Sequence, residues 1–233
     1  MQSEDRIIHF AAELIHKPRP NKKEDLQRLY FELSQSGPAS YDNTDFSFLQ
    51  QVRFQSRRGA KSQSIALFLP DRLLIVEEWA DIAMSDFLEK VRTVGEKAMQ
   101  ARGIDAYLAH TATVRSTFAL THFDDARVFL LDHACGQEGR LAPHFSRPIS
   151  VGGLRLVFPE TADSPGSFQV NIESFRHSRN EVFVEAKGVF SQPRIAPGEI
   201  GTVLQHIKDV RHFVSNSVFN YLNQFDKPQF QDG

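Results

Sequence analysis

The chain has 233 residues, of which 41% are hydrophobic and 24% charged, with a formal charge of -2; this excludes a disordered tract or a membrane bundle. The small net charge also excludes a global pull toward nucleic acid or anionic lipid, so any such contact has to be local. A single cysteine, Cys135, excludes an intramolecular disulfide. With no basic-then-apolar leader and no run of about eighteen apolar residues, a cytoplasmic protein is expected.

Ile8, Phe10, Ala12 and Leu14 alternate with Ile7, His9, Ala11 and Glu13, the period of a strand with one buried face. Lys17-Pro18-Arg19-Pro20 breaks it, because proline lacks the ladder donor. Asn21 followed by Glu24 predicts a capping box, and Leu26, Leu29, Tyr30 and Leu33 predict a helix up to Gly37-Pro38. Phe46, Phe48, Val52 and Phe54 share the parity of a second strand, which runs to a basic turn at Arg57-Arg58-Gly59-Ala60-Lys61.

A hairpin follows, Ile65 to Leu69 and Leu73 to Val76 around Pro70-Asp71-Arg72, ending in Glu77-Glu78-Trp79. Ser85 is placed to cap a helix with a stripe of Phe87, Val91, Val94 and Ala98, closing at Gly103. From Tyr107 to Thr121 one parity is apolar (Leu108, Val114, Phe118, Leu120) and the other polar (Thr111, Thr113, Arg115, Thr117). Asp124 or Asp125 then caps a short helix that closes at Gly136.

Beyond the turn-rich stretch Gln137 to Pro148, strand alternation resumes at Leu154, Leu156 and Phe158. A second hairpin, Phe168 to Phe175 and Val182 to Val189 around Arg176 to Asn180, leads to a last helix near Glu199 to Leu222. Its inner face is expected at Val203, Ile207, Val210, Val214, Ser217 and Tyr221. The hairpin-then-helix unit occurs twice, which predicts an α+β fold of two similar lobes. Antiparallel sheets would carry helices on one face, with a long C-terminal helix. The lobes are drawn at 1–136 and 149–225, with a crossover at 137–148 and a polar tail at 226–233. The 20 Phe, against 3 Met and 1 Trp, read as core filling and not as a base-stacking platform.

Several local patterns resemble a sporadically distributed family of uncharacterised bacterial proteins, of the sporadTIGR type. The resemblance is carried by Ile7 to Leu14, by Ala66-Leu67-Phe68-Leu69-Pro70-Asp71-Arg72-Leu73-Leu74-Ile75-Val76-Glu77, by Ser85-Asp86-Phe87, by Val114-Arg115-Ser116-Thr117-Phe118-Ala119-Leu120, and by the end of the last helix, Val214 to Tyr221. The family often has a Tyr-Asn pair after the Arg-bearing strand, where this chain has Thr121-His122-Phe123. The resemblance implies a two-lobed α+β fold and brings no catalytic residues.

Chemistry has few footholds. His122, Asp124 and His133, with Asp125 and Cys135 nearby, are the densest set of metal-ligand types, although helix capping and packing explain each of them. No G-x-S-x-G elbow, Walker loop or G-x-G-x-x-G occurs, so no catalytic residue and no cofactor is expected. Glu77 and Glu78 read as a solvated strand end. His110 and Ser116 share the apolar parity of their strand and read as interior hydrogen-bonding groups; His206 and His212 are badly spaced for joint ligation.

The basic tips, Arg57, Arg58 and Lys61 with Arg176 and Arg179, form with Arg115 a candidate binding surface. The function expected is a non-enzymatic binding or protein-interaction module, with a protein partner or a homodimer, no membrane and no nucleic acid. The alternatives are a small apolar ligand held between sheet and terminal helix, and a metal-dependent hydrolase.

Overall fold

The computed structural model describes residues 5–80 and 82–228. First in the chain come β1 (Asp5–His16), α1 (Lys23–Ser34), β2 (Asn43–Asp45), β3 (Val52–Arg58), β4 (Ser62–Phe68), β5 (Arg72–Glu78) and α2 (Met84–Arg102). They are followed by β6 (Tyr107–Ala119), α3 (Ala126–Val128), α4 (Leu141–Phe145), β7 (Gly153–Phe158), β8 (Ser167–Ser174), β9 (Glu181–Phe190), α5 (Gly201–His212) and α6 (Phe219–Phe225). Wider π-helical turns, Phe129–Ala134 and Phe213–Val218, continue α3 and join α5 to α6.

The fold is α+β, and its nine strands form a single antiparallel sheet in the order β2-β3-β4-β5-β1-β6-β9-β8-β7. β1 and β6 are the central pair. Outward from them the order repeats: β1 lies beside β5, then β4 and β3, while β6 lies beside β9, then β8 and β7. β6 belongs to the stretch 1–136 and pairs with β9 of the stretch 149–225, so a ladder joins the two lobes and one apolar core runs through both.

Strand alternation puts Phe10, Ala12 and Leu14 of β1, Ala112 and Val114 of β6, and Val182, Val184 and Ala186 of β9 under the helices, all buried. The other face carries Glu13, Arg72, Thr113, Arg115, Glu185 and Lys187. One side is dry and the other polar, as an antiparallel sheet allows.

Of the three expected helix caps, that of Asp125 forms, while the other two are replaced by packing. α1 starts at Lys23 with no side-chain cap, and Asn21 instead donates through Nδ2 to Leu49 O at 2.7 Å and Phe68 O at 2.9 Å. Its side chain is buried, and the two fixed carbonyls take up its Nδ2 donors, while Oδ1 has no partner among the described residues. α2 starts at Met84 behind an extended Ala83, which places Ser85 inside the first turn. There Phe87 stacks on Phe10 with ring centres 5.0 Å apart and sets the entry of the helix. Gly103, in the left-handed conformation, closes it.

The last helix follows its expected stripe through Val203, Ile207, Val210 and Val214, then departs from it. The π turn inserts an extra residue, so burial passes to Val218, Phe219 and Leu222, while Ser217 is exposed and Tyr221 half-buried. Upstream, α5 lies close on β9 because Gly188 has no side chain: a Cβ there would sit 2.6 Å from Val210 Cγ2 and 2.7 Å from Phe190 Cε2. Gly188→Ala is therefore expected to destabilise the protein by about 1–3 kcal/mol through overpacking. Urea denaturation reads this, and an unchanged midpoint would show that the helix can lift off freely.

Asp226, the first residue of the expected tail, is buried and accepts hydrogen bonds from the backbone N–H groups of Thr121 (2.7 Å) and His122 (2.9 Å). The rest of that tail from 229 onward lies outside the described residues. No helix among the described residues is long and apolar enough to cross a membrane.

Candidate functional site

One end of the sheet gathers the β3–β4 hairpin tip, the end of β5 and the β8–β9 turn. Arg57, Arg58 and Lys61 are exposed on the first tip, and Arg176, His177 and Arg179 on the second. Trp79 stands between the two tips. Lys61 Nζ is 5.1 Å from the centre of its ring, and the His177 ring meets it edge-on at 6.1 Å. The first distance is within the range of cation–π attraction. Trp79 achieves this in a left-handed backbone conformation, φ 48°, which a bulky L-residue adopts only when its surroundings compel it. The next residue shows the compulsion: Ala80 N–H donates to Ile8 O at 3.1 Å and turns the chain off β5 against β1.

Beside the second tip is a cleft of about 700 Å³, lined by Asp125, Arg127, Ser150, Ser174, Arg176, His177 and Arg179 among others. Asp125 organises it. Its carboxylate accepts from Arg127 N at 2.9 Å, Arg127 Nε at 3.0 Å, Arg127 Nη2 at 2.5 Å and Arg179 Nε at 3.2 Å. The Arg127 hydrogen bonds hold the Asp125 carboxyl well below the usual carboxylate range, and Asp125 in turn raises Arg127. Arg127 Nη1 also donates to Ile149 O at 3.0 Å, which fixes the guanidinium against the wall of the cleft. Three guanidinium groups thus face one carboxylate, and Arg176 has no ion-pair partner among the described residues. The cleft favours an anion.

Five of the expected binding residues, Arg57, Arg58, Lys61, Arg176 and Arg179, are therefore brought to one end of the sheet. Arg115 is not with them. It lies on the open face, paired through Nε with Glu185 Oε2 at 2.6 Å, and Asn171 Nδ2 donates to the other Glu185 oxygen at 3.1 Å. His9 is opposite Arg115 in one ladder and opposite Glu78 in the other. Burial, and then the Arg115 charge, push its pKa down to about 4.

The residues of metal-ligand type are engaged in structural contacts. His122 Nδ1 lies 3.0 Å from Asp226 O, the helix start is capped by Asp125 and not Asp124, and His133 packs its ring against Phe123 at 4.5 Å. Among the described residues no group of three His, Cys, Asp or Glu side chains is arranged to hold a metal ion. Cys135 is half-buried, and burial raises its thiol pKa, the reverse of an activated nucleophile.

The strand end at Glu77 needs correction. Glu77 is not solvated: it is 1% exposed and forms a salt bridge with Lys90, itself 0% exposed. Ser64 Oγ donates to Glu77 Oε1 at 2.6 Å, Lys90 Nζ donates to Ser64 Oγ at 2.5 Å, and the Tyr41 ring centre lies 5.2 Å from Nζ. Burial, and then the Glu77 charge, raise the Tyr41 phenol pKa. The cluster is sealed under α2, which suits holding the helix in register and not turning over a substrate. His110 and His206 form a second interior pair, Nε2 to Nδ1 at 2.8 Å, beneath α5. Ser116 is equally buried, but its hydroxyl has no partner among the described residues.

Sequence reasoning missed Trp79, Arg127 and the Glu77–Lys90 pair. Trp79 carries no pattern, since a lone aromatic after a strand does not reveal its backbone conformation. Compared with known proteins, the chain matches no family model and no curated relative.

Proposed function

We propose that this protein is a non-enzymatic binding module that grips an acidic segment of a partner protein at the Trp79 end of its sheet. The observation that carries this reading is the convergence of two basic hairpin tips on one strained tryptophan. An aromatic face flanked by cations offers both apolar contact and charge complementarity, the combination that anchors interfaces. The Asp125-organised cleft extends the basic surface from the second tip. The sealed Glu77–Lys90 cluster and the buried His110–His206 pair fit a scaffold better than a catalyst.

The repeated strand order around β1 and β6 supports an internal duplication. The likeness to the sporadic bacterial family, carried by residues 66–77 and 114–120, agrees with a non-catalytic role. A reducing compartment such as the cytoplasm suits the lone Cys135.

Trp79 is the only tryptophan, so its emission reports on the site without labelling. Polyglutamate titrated at low salt is expected to shift that emission saturably, and the response should collapse at 1 M salt, where the screening length is only about 3 Å. Lys61→Glu and Arg176→Glu should each weaken binding at least about tenfold, the weight of a lost charge-assisted contact. A silent tryptophan, or a response indifferent to both reversals, would refute the reading. Tighter binding of a single-stranded oligonucleotide than of polyglutamate would reassign the site to nucleic acid.

A further inference from the structure

The two edges of the sheet are built differently. β2 is three polar residues, Asn43–Asp45, the short polar edge that discourages pairing with another chain. β7 is six residues long, Gly153–Phe158, and carries one charge, Arg155. Its Leu156, Val157 and Phe158 are 37%, 59% and 38% exposed.

Leu154, Leu156 and Phe158 lie opposite Ile172, Val170 and Phe168 of β8, on the helix-covered face. Phe158 meets the Phe213 ring at 5.1 Å and Leu154 packs half-buried on the core, while Leu156 and the outer part of Phe158 are exposed. The apolar core thus runs out to an open ladder of backbone donors and acceptors, which water solvates in a single chain and which forms a template for another extended strand.

We propose that β7 pairs antiparallel with β7 of a second copy of this chain, across a two-fold axis through Leu156. Such an axis, perpendicular to the sheet, reverses strand direction but keeps the faces. Side chains directly opposite one another point to the same face, so the axis must pass through a residue and not between two. Centring on Arg155 would oppose two guanidinium groups, and centring on Val157 would run the ladder into Pro159. Centring on Leu156 puts Leu156 across from its own counterpart, Leu154 across from Phe158, and Arg155 across from Val157. The apolar row is then its own complement, which an unrelated peptide would match only by chance. The two sheets become continuous, with both helix layers on the same side.

Light scattering at tens of micromolar tests this on the intact chain. The wild type is expected at the dimer mass, and Val157→Lys and Leu156→Arg at half that mass with unchanged near-ultraviolet circular dichroism. If Leu156→Arg fails to fold, Val157→Lys decides, because that side chain is largely exposed. In a Cys135→Ser background, Leu156→Cys should crosslink under mild oxidation, since opposite Cβ atoms in such a pair are about 4.5–5.5 Å apart. Val157→Cys, which has Arg155 across from it, should crosslink much more slowly. A monomeric wild type, a dimer that survives Val157→Lys, or equal crosslinking at both positions would overturn the proposal. None of these readouts depends on the Trp79 surface, so the two readings fail separately.

Discussion

Glu77→Leu or Lys90→Met alone is expected to lower the unfolding free energy by about 3–5 kcal/mol, and the double replacement to restore most of that loss. Both side chains are sealed from water, 1% and 0% exposed, so removing one strands the other charge in an apolar interior. Removing both leaves two well-shaped hydrophobic residues between β5 and α2, with Ser64 as the remaining polar neighbour. Guanidinium denaturation of the four proteins closes a double-mutant cycle. A coupling of several kcal/mol is expected; strictly additive losses would show that the ion pair contributes nothing specific. If the double variant is stable but loses cooperativity, the pair acts in specificity, by fixing how α2 sits on the sheet.

Acid is expected to weaken the fold well before its carboxylates titrate. Burial, and then the His206 charge, hold the His110 pKa down to about 4, and His9 is likewise pushed down to about 4. Burial lowers His206 as well. A histidine with a depressed folded-state pKa is neutral in the fold while the unfolded chain takes up its proton near pH 6.5. Stability is therefore full above about pH 6.5 and falls as pH drops from there toward 4. At pH 4.5 the loss is roughly 2–3 kcal/mol for each of the two. Asp125 acts in a lower window: its depressed pKa adds stability above the ordinary Asp value of about 3.9, lost only below that. The stability at pH 7 and 4.5 should differ in the wild type, and His110→Gln should remove its own share of that difference, roughly 2–3 kcal/mol. A gap left undiminished in His110→Gln would place the acid sensitivity elsewhere.

Most strands were legible from parity alone, because each has one wet and one dry face and the residues alternate accordingly. The helices were legible by stripe and, at Asp125, by cap; Asn21 and Ser85 also have the right chemistry at nearly the right place, but tertiary demands of Leu49, Phe68 and Phe10 override it. A single inserted residue at Phe213–Val218 displaced the predicted inner face, and periodicity has no signal for a π turn.

The Glu77 cluster left a trace that went unused. Glu77 has the parity of Leu73 and Ile75, Ser64 that of Ala66 and Phe68, and Lys90 sits on the stripe of Phe87 and Val94. Three polar residues on three apolar faces point to one another. The binding end is different: its basic tips were visible as composition, but their meeting at Trp79 depends on how β5, β1 and β6 carry the two hairpins, which no local pattern encodes.

The position of β1 has a consequence for synthesis on the ribosome. Its partners, β5 and β6, are made some 57 to 113 residues later, as the ladders from Ile15–Arg72 to Asp5–Phe118 show. Until then an apolar strand emerges from the ribosome with both edges bare, the condition under which nascent chains recruit chaperones or stick to one another. Yield in the cell would then depend less on the stability of the finished fold than on how long that first segment waits.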